Sequence, residues 1–155
     1  MRPWSSPVKF DLSSSRLSGY NEGVKLYPAI LTDSLHVCQQ QLDIVAAEKE
    51  LETVQIDVID GFFADNITVT PLDLVNVEFG SLQADLHLMT DEPLDFVFET
   101  VPIKQLVPIR AVIAQVEHMS FQQAFVEEVR LQGWMPGLSL DLFTPVEAIE
   151  AESWA

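Results

Sequence analysis

Two short stretches constrain this chain more than any other feature: Val54-Gln55-Ile56-Asp57-Val58-Ile59-Asp60-Gly61 and Asp85-Leu86-His87-Leu88-Met89. Apolar and polar residues alternate in both, and a period of two belongs to a β-strand. Val54, Ile56 and Val58 then share one face, and Gln55 and Asp57 the other. Leu86 and Leu88 likewise oppose Asp85, His87 and Met89. One face of each strand packs against helices. The other carries carboxylates and an imidazole, which are costly to bury unless they are paired or ligate something. Those side chains are the first candidates for a functional site.

The rest of the chain reads as strand and helix in alternation. Residues 1–24 are rich in Ser and Pro, lack periodicity, and read as an irregular extension ahead of a domain spanning 25–155. The first strand is expected over Leu26–Leu31. A helix entered at Thr32-Asp33-Ser34 follows, with Leu35, Cys38, Leu42 and Val45 on one stripe. The second strand covers about 53–59. Thr70-Pro71 with Asp73 caps a helix whose inward residues would be Leu72, Val75 and Phe79, stopped by Gly80. The third strand covers about 82–89, and Asp91 and Pro93 open a helix ending before Pro102. A fourth strand covers about 110–116. Ser120 with Gln123 forms a capping box for a helix with a core face of Phe121, Phe125 and Val129, ended by Gly133. A fifth strand covers about 137–142, and Thr144-Pro145 with Glu147 opens a last helix.

Five strand–helix units predict an α/β protein with a parallel sheet. Open doubly wound sheets have inner strands apolar on both faces. Here polar residues sit on one face near the strand ends: Gln55, Asp57, Asp85, His87, then Gln115 and Glu117, then Ser139 and Asp141. Polar groups converging at successive strand ends are the pattern of barrel enzymes, and favour about five βα units of a (β/α)8 TIM-type barrel over an open sheet.

Composition narrows the function classes. The chain has 155 residues and a formal net charge of −16, from 24 acidic and 8 basic residues. Four of the basic residues (Arg2, Lys9, Arg16, Lys25) fall in the first 25 beside Asp11 and Glu22, leaving 22 acidic against 4 basic residues, a net of −18, in the rest. Such a surface repels nucleic acid and anionic membranes, and it repels phosphorylated ligands wherever backbone dipoles do not overcome the field. One cysteine, Cys38, permits no internal disulfide, and no apolar run approaches membrane-spanning length. The start lacks the apolar core of a signal peptide, and a cytoplasmic location follows as the expectation.

Pro28-Ala29-Ile30-Leu31, Gln55-Ile56-Asp57-Val58-Ile59-Asp60-Gly61-Phe62-Phe63, Asn66-Ile67-Thr68 and Asp85-Leu86-His87-Leu88-Met89 fall in an order that resembles the ribulose-phosphate 3-epimerase family. Gly137-Leu138-Ser139-Leu140 and Thr144-Pro145 extend the resemblance over roughly residues 25–155. It implies a (β/α)8 barrel that inverts C3 of a ketopentose 5-phosphate, interconverting ribulose 5-phosphate and xylulose 5-phosphate. Two aspartates act there as acid and base, and a divalent metal, zinc or iron, polarises the carbonyl. By resemblance Asp57 is the catalytic aspartate and a metal ligand, His87 a metal ligand beside substrate, and Met89 packs beneath the reacting carbons. Gln55 takes the place of a metal-ligating histidine.

The sequence departs from the family at Gln55, at Ala29 (a serine in the family) and at Ile59 (a methionine). An amide oxygen is a poorer zinc ligand than an imidazole, so the metal site is expected to be weak or empty. The chain also stops before strands six to eight, which hold the second aspartate, the last metal ligand and the phosphate loops. The expectation is an impaired or inactive enzyme taking a small phosphosugar if active, a non-catalytic relative that binds a partner, or a fragment of a longer epimerase. Five strands leave two open edges, which predicts a homo-oligomer or a partner chain covering them. Asp60 reads as a turn residue, and His36 and His118 as surface residues. Glu117 and Asp141 are candidate replacement ligands. Asp57 to Asp60 lacks the lysine of the Asp-x-Lys-x-x-Asp signature of orotidine-decarboxylase relatives.

Overall fold

The computed structural model describes residues 25–154, so the extension expected over 1–24 lies outside the described residues. Five strands form one sheet in the order β1 (Ala29–Ile30), β2 (Thr53–Ile59), β3 (Gln83–Met89), β4 (Ile109–Gln115), β5 (Met135–Ser139). Every neighbouring pair is parallel. Chain order equals spatial order, so no strand reverses the winding as a doubly wound sheet requires. Right-handed crossovers then place every helix on one side. The result is a partial (β/α)8 barrel, open between β1 and β5.

The strand face toward the helices is the core. Ile30, Val54, Ile56, Val58, Ala84, Leu86, Leu88, Val112 and Ala114 all belong to one buried apolar cluster. Helix α1 (Leu35–Ala46) contributes Cys38, Leu42 and Val45, the stripe read from sequence, and Ser34 caps it by accepting from the Val37 amide. Helix α2 (Pro93–Thr100) adds Val97 and α3 (Gln122–Leu131) adds Phe125, Val126 and Val129. Burying one such side chain is worth about 1.5–3 kcal/mol, so this face holds the fold.

Several expected boundaries shift for identifiable reasons. Only Ala29 and Ile30 of Leu26–Leu31 pair with β2, and Leu26 and Tyr27 stay exposed. The segment after Thr70 has the expected capping box but winds as a 3-10 helix, Pro71–Asn76. Three residues per turn change the phase. Pro71 and Leu74 turn inward, while Leu72 and Val75, expected in the core, are exposed; Phe79 is buried as expected.

Ser120 does not cap α3, whose N-cap is Phe121. Its hydroxyl donates instead to Glu92 Oε1, and Gln123 donates to Glu127. Phe121 is therefore 69% exposed rather than core, whereas Phe125 and Val129 are fully buried. The fifth strand begins two residues earlier than expected, and the last expected helix is two short 3-10 turns, Val146–Ala148 and Ala151–Trp154. Gly137 on β5 is a close-approach site: an added Cβ would lie 2.8 Å from Ile113 Cγ1.

Candidate active site

The inner face of the sheet is polar. Parallel pairing aligns Gln55 with Asp85 and Asp57 with His87. The register therefore brings together three of the residues singled out from sequence. Gln55 Nε2 donates to Asp57 Oδ1 at 2.7 Å, and His87 Nδ1 lies 3.2 Å from the same oxygen. Gln55 Nε2 stands 3.4 Å from His87 Nδ1. The Asp57 and His87 side chains are 13% and 16% exposed, so water does little to satisfy them. A carboxylate is an acceptor only, so the His87–Asp57 bond places the proton on Nδ1. Nε2 is buried without a hydrogen-bond partner among the described residues. Met89 lies two residues further on the same face, paired with Ile59.

Asp85, the other inner-face carboxylate, is consumed. Ala84 pairs with Ile109 but Asp85 with Ala111, so Arg110 is an extra residue in β4. This bulge frees Arg110 from the ladder. Its Nε donates to Asp85 Oδ1 at 2.8 Å and its terminal nitrogen to Oδ2, while the guanidinium sits 5.0 Å from the Tyr27 ring centre. The hydrogen bond to Asp85 leads in raising the Arg110 pKa above its ordinary value, against the opposing effect of burial.

Local chemistry holds the end of β2 in place. Thr68 Oγ1 donates to the Asp57 carbonyl at 2.7 Å and accepts from the Ile59 amide at 2.9 Å. This is the role of the Asn66-Ile67-Thr68 segment. Asp60 shapes the turn, as expected: Oδ1 accepts from the Phe62 and Phe63 amides, at 2.8 and 3.1 Å. Gly61 follows at φ +85, a conformation that side chains disfavour. Asp60 Oδ2 also accepts from the Asp91 amide at 2.7 Å, across 31 residues. Burial works to raise the Asp60 carboxyl, but the amides of Asp91, Phe63 and Phe62 outweigh it and hold the pKa below its ordinary value.

His118 is more than a surface residue. Its Nδ1 lies 3.1 Å from Asp91 Oδ1, and its ring meets Phe63 edge-on at 5.1 Å. Asp60, Asp91 and His118 thus tie together the turns after β2, β3 and β4. Beside them is a shallow cavity of about 250 Å3 lined by Asp91, Glu92, Glu117, His118, Met119 and Ser120. No local signal in the sequence marks this network, because its members meet only through strand register. His36 is exposed on α1.

The candidate replacement ligands are engaged elsewhere. Glu117 Oε1 accepts from the Asp141 amide at 2.7 Å, and Asp141 Oδ1 accepts from Leu142. Burial acts to raise the Glu117 carboxyl, but bonds from Thr144 and the Asp141 amide bring it below its ordinary value. No group of three or more His, Cys, Asp or Glu side chains among the described residues could hold a metal ion. A divalent ion does not fit this donor set. Catalytic zinc takes three protein ligands from imidazole, thiolate and carboxylate. Here only Asp57 and His87 are such groups, and Gln55 turns an N–H toward Asp57.

A model of the ribulose-phosphate 3 epimerase family matches residues 25–152. The ribulose-phosphate 3-epimerase of Helicobacter pylori strain J99 is 25% identical over 130 residues, covering 82% of this chain and 56% of that protein. The Bacillus subtilis ribulose-phosphate 3-epimerase is 27% identical over 128 residues, covering 82% of this chain and 57% of that protein. The chain therefore spans little more than half the length of these relatives. With parallel strands in sequential order, an inner face carrying Asp57 and His87 in register, and a family match over nearly all described residues, this chain belongs to the ribulose-phosphate 3-epimerase family.

Proposed function

We propose that this chain is a ribulose-phosphate 3-epimerase relative that does not epimerise by itself, with a small phosphosugar as its ligand class. One observation carries the reading: Arg110 consumes Asp85, which leaves Asp57 as the one inner-face strand carboxylate free for proton transfer among the described residues. Inverting a carbon requires a proton removed from one side and returned to the other. A single carboxylate serves one side. His87 orients and shields Asp57 through the Nδ1 bond, and Gln55 holds the same oxygen from the other flank. Loss of one acid–base partner costs ~10²–10⁴-fold in rate.

The test is a coupled assay of xylulose 5-phosphate formation from ribulose 5-phosphate. No turnover above background is expected. Turnover within tenfold of a full-length family enzyme overturns the reading.

A second reading is supported by the outer edges of β1 and β5, which pair with no strand among the described residues. Unpaired edges are templates for association, and they favour a second copy or a partner chain across the open side. A cytoplasmic setting is part of the proposal. No described helix is long and apolar enough to cross a membrane, and the charge of −16 opposes nucleic-acid and anionic-membrane partners.

A further inference from the structure

The helical layer, on the far side of the sheet from the polar face, carries an apolar groove. Helices α2 and α3 pack side by side, and Leu94 and Phe98 of α2 line a cavity of about 410 Å3 with Ala124, Glu127, Glu128 and Leu131 of α3. Residues three and four apart share one face of a helix, so each set forms a single row. Phe98 is 52% exposed and Leu131 76%. The core does not use them: Val97, Phe125, Val126 and Val129 face it instead. The groove rim is acidic. Gln123 donates to Glu127 and Gln132 to Glu128, each at 2.7 Å. A glutamine amide is neutral, so these bonds orient the carboxylates and leave their charge in place. Asp95 and Glu99, each one residue beyond a groove side chain of α2, are exposed as well.

We propose that this groove is the docking surface for the chain's own N-terminal extension, residues 1–24. Three features select that occupant. The first is charge. The extension carries Arg2, Lys9 and Arg16 against Asp11 and Glu22, a net of +1, whereas residues 25–155 carry 22 acidic residues against five basic, a net of −17. A cationic segment is drawn to an acidic rim, while a second copy of the domain would set the same carboxylates against each other. The second is apolar content: Val8, Phe10, Leu12 and Leu17 lie among those charges and supply what Phe98 and Leu131 lack. The third is reach. A chain of 24 residues extends up to about 80 Å, and a domain of about 130 residues is about 35–40 Å across. A covalent tether also holds the segment at an effective concentration of about millimolar, so a modest contact suffices. The inner face of the sheet takes no part, so the docking is independent of epimerisation.

Photo-cross-linking identifies the occupant directly. The photo-reactive residue p-benzoylphenylalanine replaces Phe98 in the full chain, isotopically heavy and light chains are mixed, and cross-linked peptides are read by mass spectrometry. The expected product joins α2 to a peptide from residues 1–24 of the same chain, without mixed-isotope pairs. Millisecond hydrogen exchange then measures the contact. Amides of residues 8–17 should exchange at least ~10-fold more slowly in the full chain than in its Leu131→Asp variant. Leu131 is 76% exposed, so the fold tolerates that change, and urea unfolding verifies it. Reversing the rim with Glu127→Lys and Glu128→Lys should speed the same amides, and adding Lys9→Glu and Arg16→Glu should restore part of the protection.

Cross-links that pair heavy with light chains overturn the proposal, because the groove would then seat a second copy. Cross-links confined to residues 25–155, or none at all, overturn it too. So does exchange of residues 8–17 that Leu131→Asp and the rim reversal leave unchanged. None of these outcomes depends on turnover, so failure here is distinct from failure of the epimerase reading.

Discussion

Replacing Arg110 tests the most structure-dependent feature of the inner face. The Asp85 side chain is 6% exposed and that of Arg110 25%. Arg110→Ala leaves a nearly buried carboxylate without its cation and without two hydrogen bonds. Breaking a buried pair from one side costs about 3–5 kcal/mol. Water reaching the vacated Arg110 position places the change at the lower end, about 3 kcal/mol. For a domain of this size that lowers the Tm by about 6–12 °C. Asp85→Asn should cost less, about 1–2 kcal/mol, because the remaining guanidinium is the more exposed partner and keeps an amide acceptor. Replacing both residues with apolar ones, Arg110→Met with Asp85→Leu, removes charge and partner together and should cost less than Arg110→Ala alone. Urea unfolding of these proteins, with Arg110→Ala combined with Asp85→Asn to close the cycle, is followed by far-UV circular dichroism. If Arg110→Ala costs under about 1 kcal/mol, or the same with and without the Asp85 carboxylate, the pair is an ordinary surface contact and the argument for a consumed Asp85 fails.

Three further outcomes follow from named contacts. Asp60 is held below its ordinary pKa in the fold, so its contribution is present above the unfolded value of about 3.9 and lost as pH falls through the folded value. Asp60→Asn should flatten the decline of the urea midpoint below about pH 4, and an unchanged acid limb counts against the Asp60–Asp91 tie. Gly137→Ala drives a methyl to 2.8 Å from Ile113 Cγ1 and should destabilise by about 1–3 kcal/mol, with Ile113→Ala recovering part of the loss; additive losses refute the clash. Sedimentation velocity across serial dilution should show a species larger than the 17.4 kDa monomer, dissociating on dilution; a sharp monomer at every concentration shows that the open side needs no cover from another chain.

Local sequence determined more of this protein than its low similarity to relatives suggests. Alternation alone puts Gln55, Asp57, Asp85, His87 and Met89 on one face and Val54, Ile56, Val58, Leu86 and Leu88 on the other, because successive Cβ atoms of any strand point to opposite sides. The bounds of β2, the α1 stripe of Cys38, Leu42 and Val45, and the Thr70–Asp73 capping box were legible for the same reason, since each depends on residues within four positions. The rest is decided by register. The Arg110–Asp85 pair spans 25 residues and exists only because β4 carries one residue more than β3 at that point. The His118–Asp91–Asp60 network spans three turns, and Ser120 abandons a local cap for Glu92, 28 residues away. Phe121 is left in solvent as a result. A covalent period fixes which way a side chain faces; which neighbour it meets there depends on how adjacent strands slide and bulge, and tertiary packing alone selects that.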